Sequence, residues 1–125
     1  MERLNQTTES LHRSAGGMWP WLTQRLTAVV VVVTIAVHLA LTHYVAIGQL
    51  SFENIAARLA GGAVLVNDVL LLLAVVYHAL NGARMVVLDW GLSSRGARLA
   101  FDVVLWVAGG VTVVYGIWAL WVWVG

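Results

Sequence analysis

The sequence predicts an all-α membrane protein with three transmembrane helices, and three observations carry that prediction. Of its 125 residues, 61% are hydrophobic and only 10% are charged, where a soluble domain of this length needs about a quarter charged. The seven arginines and six acids lie mostly outside three apolar runs. A membrane span needs about 20 apolar residues, so the chain has room for three spans and little besides. The expected organisation is a polar arm over residues 1–18 and a transmembrane domain over 19–125, with helices near 22–47, 63–88 and 99–124. There is no cysteine, which excludes disulfides, thiolate metal sites and iron–sulfur clusters ligated by this chain. The net charge is +1, so nothing points to nucleic acid as a partner.

The arm carries Glu2, Arg3, Glu9, His12 and Arg13, and Gly16-Gly17 breaks any helix in it. It is too polar and irregular for a signal peptide. The first apolar run is longer than a signal's core, so a retained span is expected. Trp19 and Trp21 flank Pro20 just before that run. Paired tryptophans suit the headgroup-level aromatic belt, and proline suits a helix's first turn. Arg25 marks the boundary, either snorkelling or bound to an anion.

In the first span, Thr34, His38 and Thr42 recur every four residues and Thr27 precedes them by two turns. They share one helix face, a polar stripe expected to turn inward. Val29 to Val33 favour a strand by propensity, but in lipid every backbone group must bond within the segment, so the helix wins. His43 lies off the stripe, and Tyr44 beside it suggests the far interface. Residues 52–59 are expected to form a short interfacial helix before Gly61-Gly62.

In the second span, Asn67, Leu71, Ala74, His78, Gly82, Met85 and Asp89 fall on one face. Ala74 and Gly82 stand four residues either side of His78. They leave room for something flat against the helix, or for another helix to approach. Asp102 opens the third span, which offers Ala108, Gly109, Gly110 and Gly116 for close packing. Trp118, Trp121 and Trp123 form a belt at its end.

Six of the seven arginines lie in the arm, at the start of the first span, or around the second loop, and only Arg58 lies in the first loop. By the positive-inside bias, the N-terminus and second loop face the cytoplasm, across an inner or plasma membrane. The C-terminus lies on the opposite side.

A histidine inside a span is costly and so a functional hypothesis in itself. It can hydrogen-bond a neighbouring helix, relay protons, or bind a metal, most naturally haem iron. No acid or histidine at helical spacing supports His78 as a zinc or di-metal ligand. With a rise of about 1.5 Å per residue, His78 lies roughly 9 Å from Arg84 and His38 roughly 20 Å from Arg25. If both arginines mark one interface, the histidines differ in depth by roughly 10 Å. Gripping one haem from opposite sides is then awkward, and each histidine needs a second one from another chain. The three helices are therefore read as half of a two-subunit helical bundle. Arg25 and Arg84 are candidates for anion binding, since guanidinium pairs well with carboxylates. Asp89 and Trp90 can hydrogen-bond a quinone head group, or simply end the helix in water.

His78, Asn81, Gly82, Arg84 and Asp89 form His-x-x-Asn-Gly-x-Arg followed by Asp. This resembles the second helix of the small membrane anchor subunits of succinate dehydrogenase (respiratory complex II). Trp21-x-x-Gln-Arg-x-Thr-Ala, Trp21 to Ala28, is similar to the start of the same family's first helix. The resemblance covers the transmembrane part, not the arm or first loop. It implies an electron-transfer subunit of the tricarboxylic acid cycle and respiratory chain, with no dehydrogenase active site of its own. It implies docking of a flavoprotein and an iron–sulfur subunit, a second membrane anchor subunit, haem b and a quinone site. His78 corresponds to the usual haem ligand, and Arg25 to a position near the quinone and haem propionates. The family's Asp-Tyr quinone pair stands here as Asp89-Trp90, which keeps an N–H donor but no hydroxyl. In two-haem members a first-helix histidine binds the haem farther from the cytoplasm. His38 is expected in that role, with His43 its competitor, so one haem or two are open. Two other readings are open to the same residues: a haem-free structural anchor, and a small proton-relay or transport subunit.

Overall fold

The computed structural model describes residues 17–44, 51–92 and 94–124. Among these there are helices and connecting turns but no strand. Helix α1 is Met18–Leu39, and it widens into a π-helical turn at Ala40–Tyr44. Helix α2 is Phe52–Leu59, α3 is Gly62–Asp89 and α4 is Arg95–Val124. Three segments are long and apolar enough to cross a membrane: Met18–Thr42, Gly62–Asp89 and Arg95–Val122. The chain is a multi-pass, all-α membrane protein.

The boundaries follow from local chemistry. Pro20 sits in the first turn of α1, where a missing N–H leaves no bond unmade. Ser51 caps α2 by accepting from the Asn54 backbone N–H. Gly91 ends α3 with φ +94°, a left-handed conformation that glycine takes freely. There Gly91 N–H donates to the Leu88 carbonyl. Ser94 Oγ accepts from the Ala97 N–H at 3.2 Å, so α4 starts at Arg95, about one turn before the start near 99 that the apolar run predicts. Residues 1–16, which hold most of the polar arm and His12, lie outside the described residues, as do 45–50. The Trp123 side chain is not described either.

α1 and α3 run antiparallel along a polar seam. Tyr77 Oη donates to Thr23 Oγ1, Asn81 Nδ2 to the Pro20 carbonyl, and Asn67 Nδ2 to the Thr34 carbonyl. Among the described side chains, the buried ones include two polar groups, Thr34 and Asp68, beside Ala74. Large apolar side chains line the outside of every span. In lipid that inversion is stable, because apolar surface loses nothing there and polar groups gain by facing each other. α3 and α4 meet differently. A Cβ on Gly116 would come within 2.6 Å of Leu72 Cδ2, and one on Gly109 would overlap Leu80. Glycines on α4 therefore receive leucines of α3, as expected of Gly109 and Gly116. A Cβ on Gly110 would meet nothing within 4 Å, and Ala108 is exposed. Arg58 of α2 donates to the Leu41 carbonyl, tying the short helix to the end of the first span.

Candidate functional site

Two polar stations lie along the α1–α3 seam, each centred on a histidine. At the first, Gln24 Nε2 donates to the His78 carbonyl at 3.2 Å and stands 3.3 Å from His78 Nε2. Gln24 Oε1 accepts from Asn81 Nδ2 at 2.8 Å. Flipping the Gln24 amide would set donor against donor and acceptor against acceptor, so its orientation is determined. An amide nitrogen only donates, so His78 Nε2 must be the acceptor. The ring proton is then on Nδ1, 3.1 Å from Thr27 Oγ1. Thr27 can accept it, because its own hydroxyl proton goes to the Thr23 carbonyl at 2.7 Å.

Of the small residues beside His78, Gly82 stands where Gln24 of α1 comes close, and Ala74 is buried. A Cβ on Gly82 would come 2.9 Å from Gln24 Nε2. At Gly82 the helices approach closely, because the polar head of Gln24 reaches the α3 backbone.

At the second station, His38 Nδ1 is 2.8 Å from Asp68 Oδ1. The Asp68 side chain is 9% exposed, and that of His38 is 34% exposed. Asn67 Nδ2 donates to the Thr34 carbonyl at 3.2 Å and to Asp68 Oδ1 at 3.4 Å. The polar stripe of α1 therefore faces α3 as expected. The sequence signal for Asp68 is that of a carboxylate inside an apolar run, which needs a partner on a neighbouring helix. His43 lies in the π-helical turn, and its side chain is outside the described residues.

The stations are well separated. From Thr27 to His38 on α1, or from Asp68 to His78 on α3, the rise is roughly 15 Å, more than the expected 10 Å. The reason is register. Thr23 meets Tyr77 and Gln24 meets His78, so Arg25 is level with the middle of α3. It lies roughly 10 Å deeper than Arg84, and the two arginines do not mark one interface.

The guanidinium of Arg25 stacks 4.2 Å from the Trp21 ring centroid. Arg84 Nε donates to Asp102 Oδ1 at 2.7 Å and Nη2 to Oδ2 at 3.3 Å, joining α3 to α4. That pair lines a cavity of about 280 Å³ with Tyr77, Asn81 and Trp106. The cavity lies on the α4 side of α3, while His78 is bonded towards α1. Asp89 and Trp90 stand exposed at the end of α3, Trp90 at 88%. The structure does not bring them to His78.

Residues 2–116 match the family described as succinate dehydrogenase/fumarate reductase transmembrane subunit. The chain belongs to that family. It is similar to the succinate dehydrogenase 2 membrane subunit SdhC of Mycobacterium tuberculosis, with 27% identity over 89% of this chain and 79% of the relative. It is also similar to the succinate dehydrogenase hydrophobic membrane anchor subunit of Archaeoglobus fulgidus, with 33% identity over 62% of this chain and 68% of the relative. No solved structure matches it at a significant level.

A succinate dehydrogenase membrane anchor that held haem would need neutral imidazoles with a lone pair free for iron. The tautomer fits at both stations. Each histidine has its Nδ1 held by an oxygen on the facing helix, which puts the ring lone pair on Nε2. They differ in access. Gln24 covers Nε2 of His78, whereas Nε2 of His38 meets no polar partner among the described residues.

Proposed function

We propose that the chain is a haem b-binding anchor of succinate dehydrogenase that docks the flavoprotein and iron–sulfur subunits and helps carry electrons to membrane quinone. Haem, when bound, supplies one-electron storage between the iron–sulfur partner and quinone. His78 and His38 would each hold one haem iron, with partner histidines on a second membrane anchor subunit. Arg25 and Arg84 would line the haem-propionate or quinone region. Arg25 has the stronger claim, because Asp102 already takes two hydrogen bonds from Arg84. Asp89 and Trp90 would meet the quinone head group or the iron–sulfur subunit at the arginine-rich end, which is assigned to the cytoplasmic side.

The observation that carries this reading is the Nδ1 geometry of His38. Asp68 holds His38 through Nδ1 alone, and the lone pair on Nε2 meets no polar partner among the described residues. His78 supports a second reading, the haem-free anchor, because both its ring nitrogens find partners on α1. Purified complex with its subunits identified separates the two. A b-type band in the reduced-minus-oxidised spectrum and two haems per complex by pyridine haemochrome are expected. His78→Ala and His38→Ala should each remove one. The absence of a b-type band would establish the haem-free anchor, and one haem per complex would end the two-haem version. Haem loss in His43→Ala but not His38→Ala would reassign the distal ligand.

A further inference from the structure

We infer that Asp68 is the positioning residue for His38: its carboxylate holds the ring Nδ1–H and turns Nε2 out of the three-helix unit as a ligand. This rests on the reading of His38 as a haem ligand. Asn67 donates to Thr34's carbonyl, which only accepts, and this determines the orientation of the Asn67 amide. The same Asn67 nitrogen reaches Asp68 Oδ1, so that oxygen is an acceptor. His38 Nδ1, 2.8 Å from it, therefore carries the proton. Asp68 is buried and His38 is about a third exposed, so the accessible edge of the ring is the one away from the carboxylate. Thr42 Oγ1 donates to the His38 carbonyl at 2.6 Å, which holds the backbone beneath the ring.

Three features set this contact apart from an ordinary interhelical hydrogen bond. The carboxylate lies in a membrane span, where an unpaired one is strongly unfavourable. It contacts the nitrogen that a metal would not use. A carboxylate on the far nitrogen is also the arrangement that orients metal-bound histidines and raises their basicity. By contrast, Thr27 gives His78 a neutral acceptor. The two haems are therefore expected to differ in potential, the one at His38 being biased towards its oxidised form by the nearby negative charge.

The test uses the intact purified complex, with haem content and redox titration of the haem bands as readouts. Asp68→Asn keeps an oxygen that can accept from Nδ1–H but removes the charge. It should retain both haems and shift the midpoint of the His38 haem upward, leaving the other unmoved. Asp68→Leu removes the acceptor and should weaken haem binding at His38 about 10- to 100-fold, with the His78 haem retained. If His38→Ala removes a haem while both Asp68 variants keep wild-type content and midpoints, Asp68 does not position His38, although His38 remains a ligand. If His38→Ala removes none, the underlying reading fails and the role of Asp68 fails with it. Should Asp68→Leu not assemble, the midpoint of Asp68→Asn decides alone: an unshifted value overturns the inference.

Discussion

Gln24 makes three contacts with one amide: it faces His78 Nε2, donates to the His78 carbonyl and accepts from Asn81. In a membrane each such bond contributes only about 0.6 kcal/mol on average. Gln24→Leu should therefore destabilise the assembled complex by about 1–2 kcal/mol, read as lowered thermal stability in detergent. If iron sits on His78 Nε2, Gln24 has already moved aside, and the same substitution should cost less when haem is bound. The Arg84–Asp102 pair obeys a different rule. Asp102→Leu would leave a guanidinium unpaired near the end of a span, at a cost of about 1 kcal/mol, below that of a charge at the span's centre because the side chain can snorkel. The double variant Arg84→Met/Asp102→Leu removes both charges and should recover most of that loss. Failure to recover would mean that Arg84 serves something other than Asp102. The need for a partner at Arg84 was legible in the sequence. That the partner is this chain's own Asp102 was not, because it depends on how α4 is rotated against α3.

At the scale of the helix, the two seams are held by different physics. α1 and α3 meet through side-chain amides, hydroxyls and a carboxylate, and α3 and α4 meet by shape. Gly116→Leu would place a side chain where Leu72 Cδ2 already lies within 2.6 Å of the added Cβ. Overpacking of this kind costs about 1–3 kcal/mol. Gly110→Leu is the control, because its Cβ would meet nothing within 4 Å. Thermal unfolding should separate the two variants, and equal effects would contradict the observed rotation of α4. The glycines were visible in the sequence as candidates for close packing. Of Ala108, Gly109, Gly110 and Gly116, Gly109 and Gly116 do that work, because a helix presents a new face every 100° or so and residues seven apart share one. The π-helical turn at Ala40–Tyr44 had no sequence signal. Thr42 bonding back to the His38 carbonyl accompanies it.

At the scale of the molecule, the three-helix unit exposes apolar side chains on all sides, which suits lipid and a second anchor subunit. A topology with three crossings puts the first and second loops on opposite faces. The chain has no cysteine, so single cysteines report cleanly. Arg95→Cys should react with an impermeant maleimide from the cytoplasmic side only, and Glu53→Cys from the opposite side only. Labelling of both from one side would contradict the path of the chain.

The span count, the short helix over 52–59 and the placing of His38 and His78 within apolar spans were determined by the sequence alone. They depend on apolar run length and on the positions of charges, which are one-dimensional quantities. The family was legible for the same reason, since its motifs are contiguous on single helices. Tertiary structure decided which polar groups meet: Asp68 with His38, Gln24 and Thr27 with His78, and Asp102 with Arg84. It also moved Arg25 below the level of Arg84. Periodicity places a residue on a face of its own helix, but the partner across the seam depends on the rotation and sliding of two helices together. In lipid that is settled by hydrogen bonds and small-residue fits that no single segment contains.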